Sequence, residues 1–295
     1  MLKKHLFIII SLITISNCFG QTGKMYQFYN KKGKAVSFEN MAKSLLGYDV
    51  ILYGEYHNNS TNHWLQLQLA KYMINQKGKK VVLGAEMFER DNQEALNKYL
   101  SGLYDDQQLK ETVRLWSNYN TDYKPLVDLA KTEKIPFIAT NIPRRYASVV
   151  AKRGLDDLNL ISENEKKWIV KLPFPIDYQA PGYPEMLDMI GNHDELKAKQ
   201  FIAAQAIKDA TMAESILHNI QQNSTFIHFN GDYHSKNYGG IYWYLKNYNP
   251  LLKVAVIQIV EQNDFFLKLT NESNKNFIFT EFTLVLPEDT IKTYY

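Results

Sequence analysis

The chain has one cysteine in 295 residues, Cys18, so everything beyond it folds without a disulfide and without a thiolate ligand. That excludes cysteine-type zinc sites and iron–sulfur clusters. It also lacks a block of charge: basic residues are interspersed with acids, the formal net charge is +3, and no cationic face is set aside for nucleic acid. No fixed-period repeat, low-complexity segment or linker interrupts it. Long apolar runs are missing as well, apart from Leu6 to Ile15, which falls short of the roughly 20 residues a membrane-spanning helix needs. Lys3, Lys4 and His5 precede that run and small or polar residues follow it through Gly20, so residues 1–20 read as a signal peptide. Cleavage after Gly20 would leave Gln21 first. The alternative, lipidation of Cys18, places Asn17 where a lipoprotein signal wants a very small residue.

What remains is ordinary globular material, 45% hydrophobic and 22% charged, enough for one large core. Residues 21–295 read as a single domain with an insertion at about 152–222. Four buried-strand candidates share one design, a short apolar run followed at once by polar residues. They are Asp49 to Tyr53, Val81 to Ala85, Pro136 to Thr140 and Thr225 to Phe229. Each precedes a helical pattern, as strand–helix–strand units require. Ser60 is the expected cap of a helix with Trp64, Leu65, Leu69, Tyr72 and Met73 inward, ending at Gly78. Lys253 to Val260 reads as a fifth strand, and Phe265 to Thr270 with Phe277 to Leu286 as a terminal hairpin or edge pair. The expected fold is therefore a three-layer α/β domain with a mainly parallel central sheet and an inserted helical, Pro-rich region. That region contains the stretch from Leu172 to Pro184, which holds four of the nine prolines and cannot be regular helix. A helix over about Asp194 to Gln222 follows it.

In a parallel sheet the residues just after the strands converge on one edge, where ligands bind. Here that edge would gather Glu55, His57, Glu86, Asn141, Asp232 and His234. Gly54-Glu55-Tyr56-His57 and Gly231-Asp232-Tyr233-His234 repeat one pattern, an acid after the glycine and a tyrosine before the histidine. Glycine would let the backbone turn sharply and present the histidine at the mouth of the sheet. Two imidazoles and two or three carboxylates within reach can hold a divalent metal ion or act as base and acid in hydrolysis. They can equally be a buried polar network with helix-capping acids. His63 is as suited to structure as to ligation, His193 beside the Pro-rich loop is a functional candidate, and His218 and His228 read as structural. Asp209 would interrupt the inner face of its helix, where Arg144 or Arg145 could partner it.

These residues resemble a family. Leu52 to His57 with His63, Glu86-Met87-Phe88-Glu89-Arg90 with Gln93, the Asn141-Ile142-Pro143-Arg144 turn, Gln205 to Ala213 and Gly231 to His234 together are similar to the ChaN-like haem-binding lipoproteins of the Tiki/TraB superfamily. The resemblance implies a periplasmic or outer-membrane-associated protein of haem and iron uptake. It further implies haem as ligand, with a homodimer and an outer-membrane haem or iron receptor as candidate partners. Haem takes tyrosine, histidine or methionine as axial ligand, and Tyr178, Tyr183, Met189 and His193 flank the Pro-rich loop that could cover a porphyrin. Tiki-like proteases and esterases share the motif pair, which would instead make Glu55, His57, Glu86 and His234 a metal or acid–base centre of a metal-dependent hydrolase. Whether the protein is an enzyme is left open by the residues alone.

Overall fold

Parallel neighbours in a sheet need a crossover of a dozen or more residues between them, and the spacing of the apolar runs supplies one nearly every time. The computed structural model describes residues 24–190, 194–270 and 277–294, without the side chains of 188–190 and 268–270. Its strands are β1 Gln27–Asn30, β2 Ala35–Val36, β3 Val50–Glu55, β4 Val81–Glu89, β5 Phe137–Asn141, β6 Thr225–Gly231, β7 Val254–Glu261 and β8 Phe282–Leu286. They form one sheet in the order β2-β1-β8-β7-β3-β6-β4-β5. Strands β3 to β8 all run parallel, and β1 is antiparallel to both β8 and β2. The helices are α1 Phe38–Ser44, α2 Ser60–Lys77, α3 Gln93–Leu100, α4 Asp106–Thr112, α5 Lys124–Glu133, α6 Arg144–Arg153, α7 Glu163–Lys166, α8 Tyr183–Ile190, α9 Glu195–Asn219, α10 Gly240–Tyr248 and α11 Gln262–Thr270.

Alternation along each strand decides which layer a side chain joins. Ile51 and Tyr53 of β3 pack with Leu65, Leu69 and Met73 of α2, whereas Val50 and Leu52 pack with Ile202 and Ala206 of α9 and Ile241 of α10. The sheet is thus covered on both faces, and its parallel strands bring every strand end named above to one edge.

Three local expectations change. The segment 262–270 is a helix, because β8 lies parallel to β7 and a parallel neighbour is reached by a crossover and not by a hairpin. Its Phe265 packs edge-on against Phe277 and Phe279 in a small core of its own. Trp64 is half exposed, one position off the Leu65, Leu69 and Met73 stripe. The cap of α2 is Asn59, whose side chain accepts from the Asn62 amide at 3.0 Å. Ser60 instead donates to the Ile291 carbonyl at 3.0 Å. Thr293 N–H to the Asn58 carbonyl (2.8 Å) and Asn59 to the Thr290 hydroxyl (2.6 Å) complete the tie, which brings the C-terminal segment to the sheet edge.

Candidate functional site

The two glycine–histidine motifs meet because β3 and β6 pair in parallel, with Gly54 opposite Asn230 and Glu55 opposite Gly231. Neither glycine is there for a turn: both lie in strands, and neither has a positive φ. Each makes room for the other motif. A Cβ on Gly54 would collide with the Asp232 carboxylate and stand 3.1 Å from the Ile257 carbonyl, and a Cβ on Gly231 would stand 2.8 Å from the His57 ring. The motifs interlock, each glycine receiving a side chain of its counterpart.

Around this junction the side chains form two linked clusters. His57 Nδ1 lies 3.0 Å from Glu55, whose other oxygen accepts from Gln66 at 2.7 Å and which also receives the Tyr123 hydroxyl. The Trp116 ring stands edge-on to His57 at 4.7 Å, and His63 and Asn118 both hold the His57 carbonyl. On the other face of the sheet, His234 Nε2 lies 3.2 Å from Glu86 and its Nδ1 2.5 Å from Asp209. Asp209 also accepts from the Tyr183 hydroxyl at 2.9 Å, and Glu86 from the Gly231 amide at 2.8 Å. Arg144 and Arg145 do not reach Asp209. Arg145 pairs with Asp91 at 2.6 Å, and Arg90, directly after β4, ties the end of that strand to α9 through Ser215, the Thr211 carbonyl and Glu214.

The charges follow from these contacts. Burial would raise the Glu55 carboxyl, but His63, His57 and Tyr123 outweigh it and bring it down to about 2. Burial opposes ionisation of Glu86 in the same way, yet His234 and His57 hold it well below the usual carboxylate range. His234 is carried up to about 10 against burial by Glu86 and Asp209, and His57 is raised against burial by Glu55 and Glu86. Burial pushes the Asp209 carboxyl up, while His228, deep in β6 between Thr140 and Asn230, is lowered by burial to about 4 and stays neutral. His228 is structural, as its place within a strand predicts.

A pH dependence of stability follows. A histidine raised from its ordinary 6.5 to about 10 contributes stability that is complete below pH 6.5 and drains away as the pH rises through 10. Glu55, lowered from 4.5 to about 2, contributes stability present above pH 4.5 and lost as the pH falls through 2. Stability should therefore plateau between pH 4.5 and 6.5 and decline on either side, on the alkaline side by on the order of a few kcal/mol in all, which a falling melting temperature reports. His234→Gln should flatten that alkaline limb in a calorimetric pH series. An unchanged limb would show that His234 is not the group responsible.

Between the clusters lies a cleft of about 740 Å³ lined by Glu55, His57, Glu86, Asp232 and His234, with Gln205, Lys208, Tyr233, Lys292 and Tyr294 among its other walls. Asn141 is not part of it; its amide donates to the Glu86 carbonyl and its oxygen caps Ile142. Of the residues flanking the Pro-rich loop, Tyr183 is buried with its hydroxyl on Asp209. Tyr178 lines a separate cleft of about 430 Å³ with Leu187 and Lys199. The backbone of Met189 lies in α8, whose Met186 borders the main cleft, while the Met189 side chain and His193 lie outside the described residues. Sequence reasoning missed Gln66, Tyr123, Asn118, Lys292 and Tyr294. Gln66 carried a signal, a polar residue one turn from His63 beside the apolar Leu65–Leu69 stripe; the others reach the site by tertiary folding alone.

Among solved structures, ChaN of Campylobacter jejuni, in a structure of cofacial haem binding, superposes with a TM-score of 0.66 at 17% identity, covering 88% of this chain and 96% of that one. The type III effector HopBA1 gives 0.46 at 13% identity over 85% and 93% of the two chains. A variant of the erythromycin esterase EreC in its open conformation gives 0.46 at 10% over 81% and 77%. No curated protein matches the sequence. The profile described as haem-binding uptake, Tiki superfamily, ChaN matches residues 41–245, a span that takes in both interlocked motifs, Glu86 and Asp209. The chain belongs to that family, the ChaN haem-binding uptake proteins of the Tiki superfamily.

Proposed function

We propose that the protein is an exported haem carrier of iron uptake, acting in the periplasm or at the outer membrane, with haem seated in the 740 Å³ cleft. The observation that carries this reading is the cleft's donor set. A cavity of this size falls in the usual range for small-molecule and cofactor sites. Bound haem supplies an iron that takes a tyrosine, histidine or methionine as axial ligand. Tyr233 stands at the cleft 41% exposed, its ring fixed by the Lys236 ammonium 3.7 Å above it. His57 presents the second donor: its Nδ1 faces Glu55, the arrangement that orients a histidine to ligate through its other nitrogen. Lys208 supplies a cation for a carboxylate, and Met186 an apolar wall. Tyr178, Met189 and His193 are a second donor set of this reading, and Tyr183 holds Asp209 in place.

A haem titration of the protein lacking residues 1–20, followed in the visible spectrum, tests the proposal. Saturable binding is expected, weakened about tenfold or more by Tyr233→Phe with a changed iron spectrum. A spectrum altered only by Tyr178→Phe, Met189→Leu or His193→Ala would move the axial ligand to the loop. No saturable binding would end the carrier reading.

The competing reading is a metal-dependent hydrolase of Tiki-like protease or esterase type built on the paired histidine–carboxylate contacts, and the geometry of those contacts counts against a resident metal. As arranged, the four side chains Glu55, His57, Glu86 and His234 suit proton sharing better than a cation. Both oxygens of each glutamate accept hydrogen bonds and both His234 nitrogens face carboxylates. Among the described residues no group of three or more His, Cys, Asp or Glu is arranged to hold a metal ion. Metal content of the same sample separates the readings: a stoichiometric divalent ion lost in His57→Ala with His234→Ala would put hydrolysis first.

A further inference from the structure

The segment 287–294 follows β8 and runs back to the cleft, past residue 245, where the match to the family profile stops. Its Lys292 and Tyr294 line the main cleft. A second cavity of about 450 Å³, with Trp116 in its wall, shares His57, Glu86 and Tyr294 with the first, so Tyr294 stands between the two. The segment is held by polar contacts to the three residues that directly follow His57. Lys292 faces Asn59 in an antiparallel bridge, the Ser60 amide donates to the Ile291 carbonyl at 3.1 Å, and the Asn58 side-chain amide donates to the Tyr294 carbonyl at 2.9 Å. A second route to His57 starts at Thr293. Its hydroxyl donates to Asp122 at 2.7 Å, the same Asp122 oxygen accepts from the Asn118 amide at 2.6 Å, and that amide donates to the His57 carbonyl at 2.7 Å.

These contacts lie at the surface. Ile291 is 70% and Tyr294 40% exposed, and Thr290 is the one buried residue of the segment. A segment held by surface hydrogen bonds, with little apolar area to lose, opens locally at a fraction of the free energy of global unfolding. We propose that residues 287–294 are a strap that gates the site: docked, it separates the two cavities at Tyr294 and holds His57 in place through Thr293, and undocked it opens the cleft and frees the turn after His57. Thr293 is then a positioning residue, since without its hydroxyl Asp122 loses one of the donors that aim it at Asn118. The strap rests on its own contacts, and only the choice of haemin as a probe rests on the haem reading.

From Gln21 onward the protein has no cysteine, so Ser60→Cys with Ile291→Cys can build a reversible clasp free of competing thiols. The two positions oppose each other beside the Asn59–Lys292 bridge, and the Cα spacing of about 5.5 Å usual for such a pair is one a disulfide spans. Haemin association and dissociation are followed by stopped flow with the clasp oxidised, and again with it reduced and freed of reductant. A gate governs entry and exit together, so oxidation should lower both rates about tenfold or more while the affinity stays nearly the same. Thr293→Val should raise both rates, and Thr293→Ser, which keeps the hydroxyl, should restore them. Rates that the clasp leaves unmoved overturn the gate, and rates that Thr293→Val leaves unmoved overturn the hold through Thr293; either result leaves the haem reading intact. If wild type binds no haemin, the haem reading falls and the strap is judged by amide hydrogen exchange. The Ser60 and Thr293 amides should then exchange about a hundredfold faster than those of β3 and β6, and faster still in Thr293→Val. Protection equal to that of the central strands overturns the strap.

Discussion

His234→Leu should lower the stability of the domain by about 3–5 kcal/mol, the cost of leaving a buried charge without its partner. His234 is buried between Glu86 and Asp209, and its positive charge is what allows two acids to approach each other inside the fold. Leucine fills the space but answers neither carboxylate, so Glu86 is left with the Gly231 amide and Asp209 with the Tyr183 hydroxyl. At about 2–4 °C per kcal/mol for a domain of this size, the melting temperature should drop by roughly 10 °C. Adding Glu86→Gln to His234→Leu should restore part of the loss, since contacting groups in one network do not add independently. A drop under about 2 °C, or strict additivity, would mean that the network is not held together by the His234 charge.

The second large effect belongs to Gly54. Alanine there places a methyl group against the Asp232 carboxylate and 3.1 Å from the Ile257 carbonyl. The carbonyl belongs to the adjacent β7 and cannot move, so Asp232 must, and with it the bond it accepts from the Ile259 amide at 2.9 Å. Overpacking of this kind costs about 1–3 kcal/mol, and the lost bond about 1 more. Gly231→Ala is the informative companion. Its methyl group presses on the end of the His57 side chain, 2.8 and 2.9 Å from two ring atoms, and touches the Glu86 carboxylate at 3.4 Å. It should therefore cost much less stability than Gly54→Ala and act instead on ligand binding by displacing the ring from Glu55. Equal melting temperatures for the two variants would defeat this account of the glycines.

Much of this was legible in the sequence because it rests on local pattern. An apolar run ended by a polar cluster marks a parallel strand and its ligand-facing end in one stroke, and so Glu55, His57, Glu86, Asp232 and His234 could be placed together before any coordinates. The role of the motif glycines was not legible, since close approach to another strand leaves no trace in the chain that a turn would not also leave. The partner of Asp209 was misread for a related reason: nearby arginines are the common solution for a buried acid, and nothing local says that a histidine and a tyrosine from two other segments arrive instead. The helix at 262–270 was hidden by aromatic residues whose spacing suits an edge strand, until β8 took the place beside β7. The Tyr123 hydroxyl on Glu55 and the tail residue Tyr294 between two cavities are products of tertiary folding.

Because the motifs interlock, neither is a site in miniature. Glu86 and the Gly231 amide it grips are 145 residues apart in the chain, and contacts of that separation form late, after the entropy of closing a long loop has been met. A partly folded chain holds one glycine with an empty slot and one histidine with nowhere to lodge. Ligand capture must then come after the central strands have zipped together, and a ligand that binds only the finished fold draws the folding equilibrium toward it by mass action. Loading would act as a latch on a completed sheet, and protection of the β3 and β6 amides against hydrogen exchange would rise with ligand concentration as its signature.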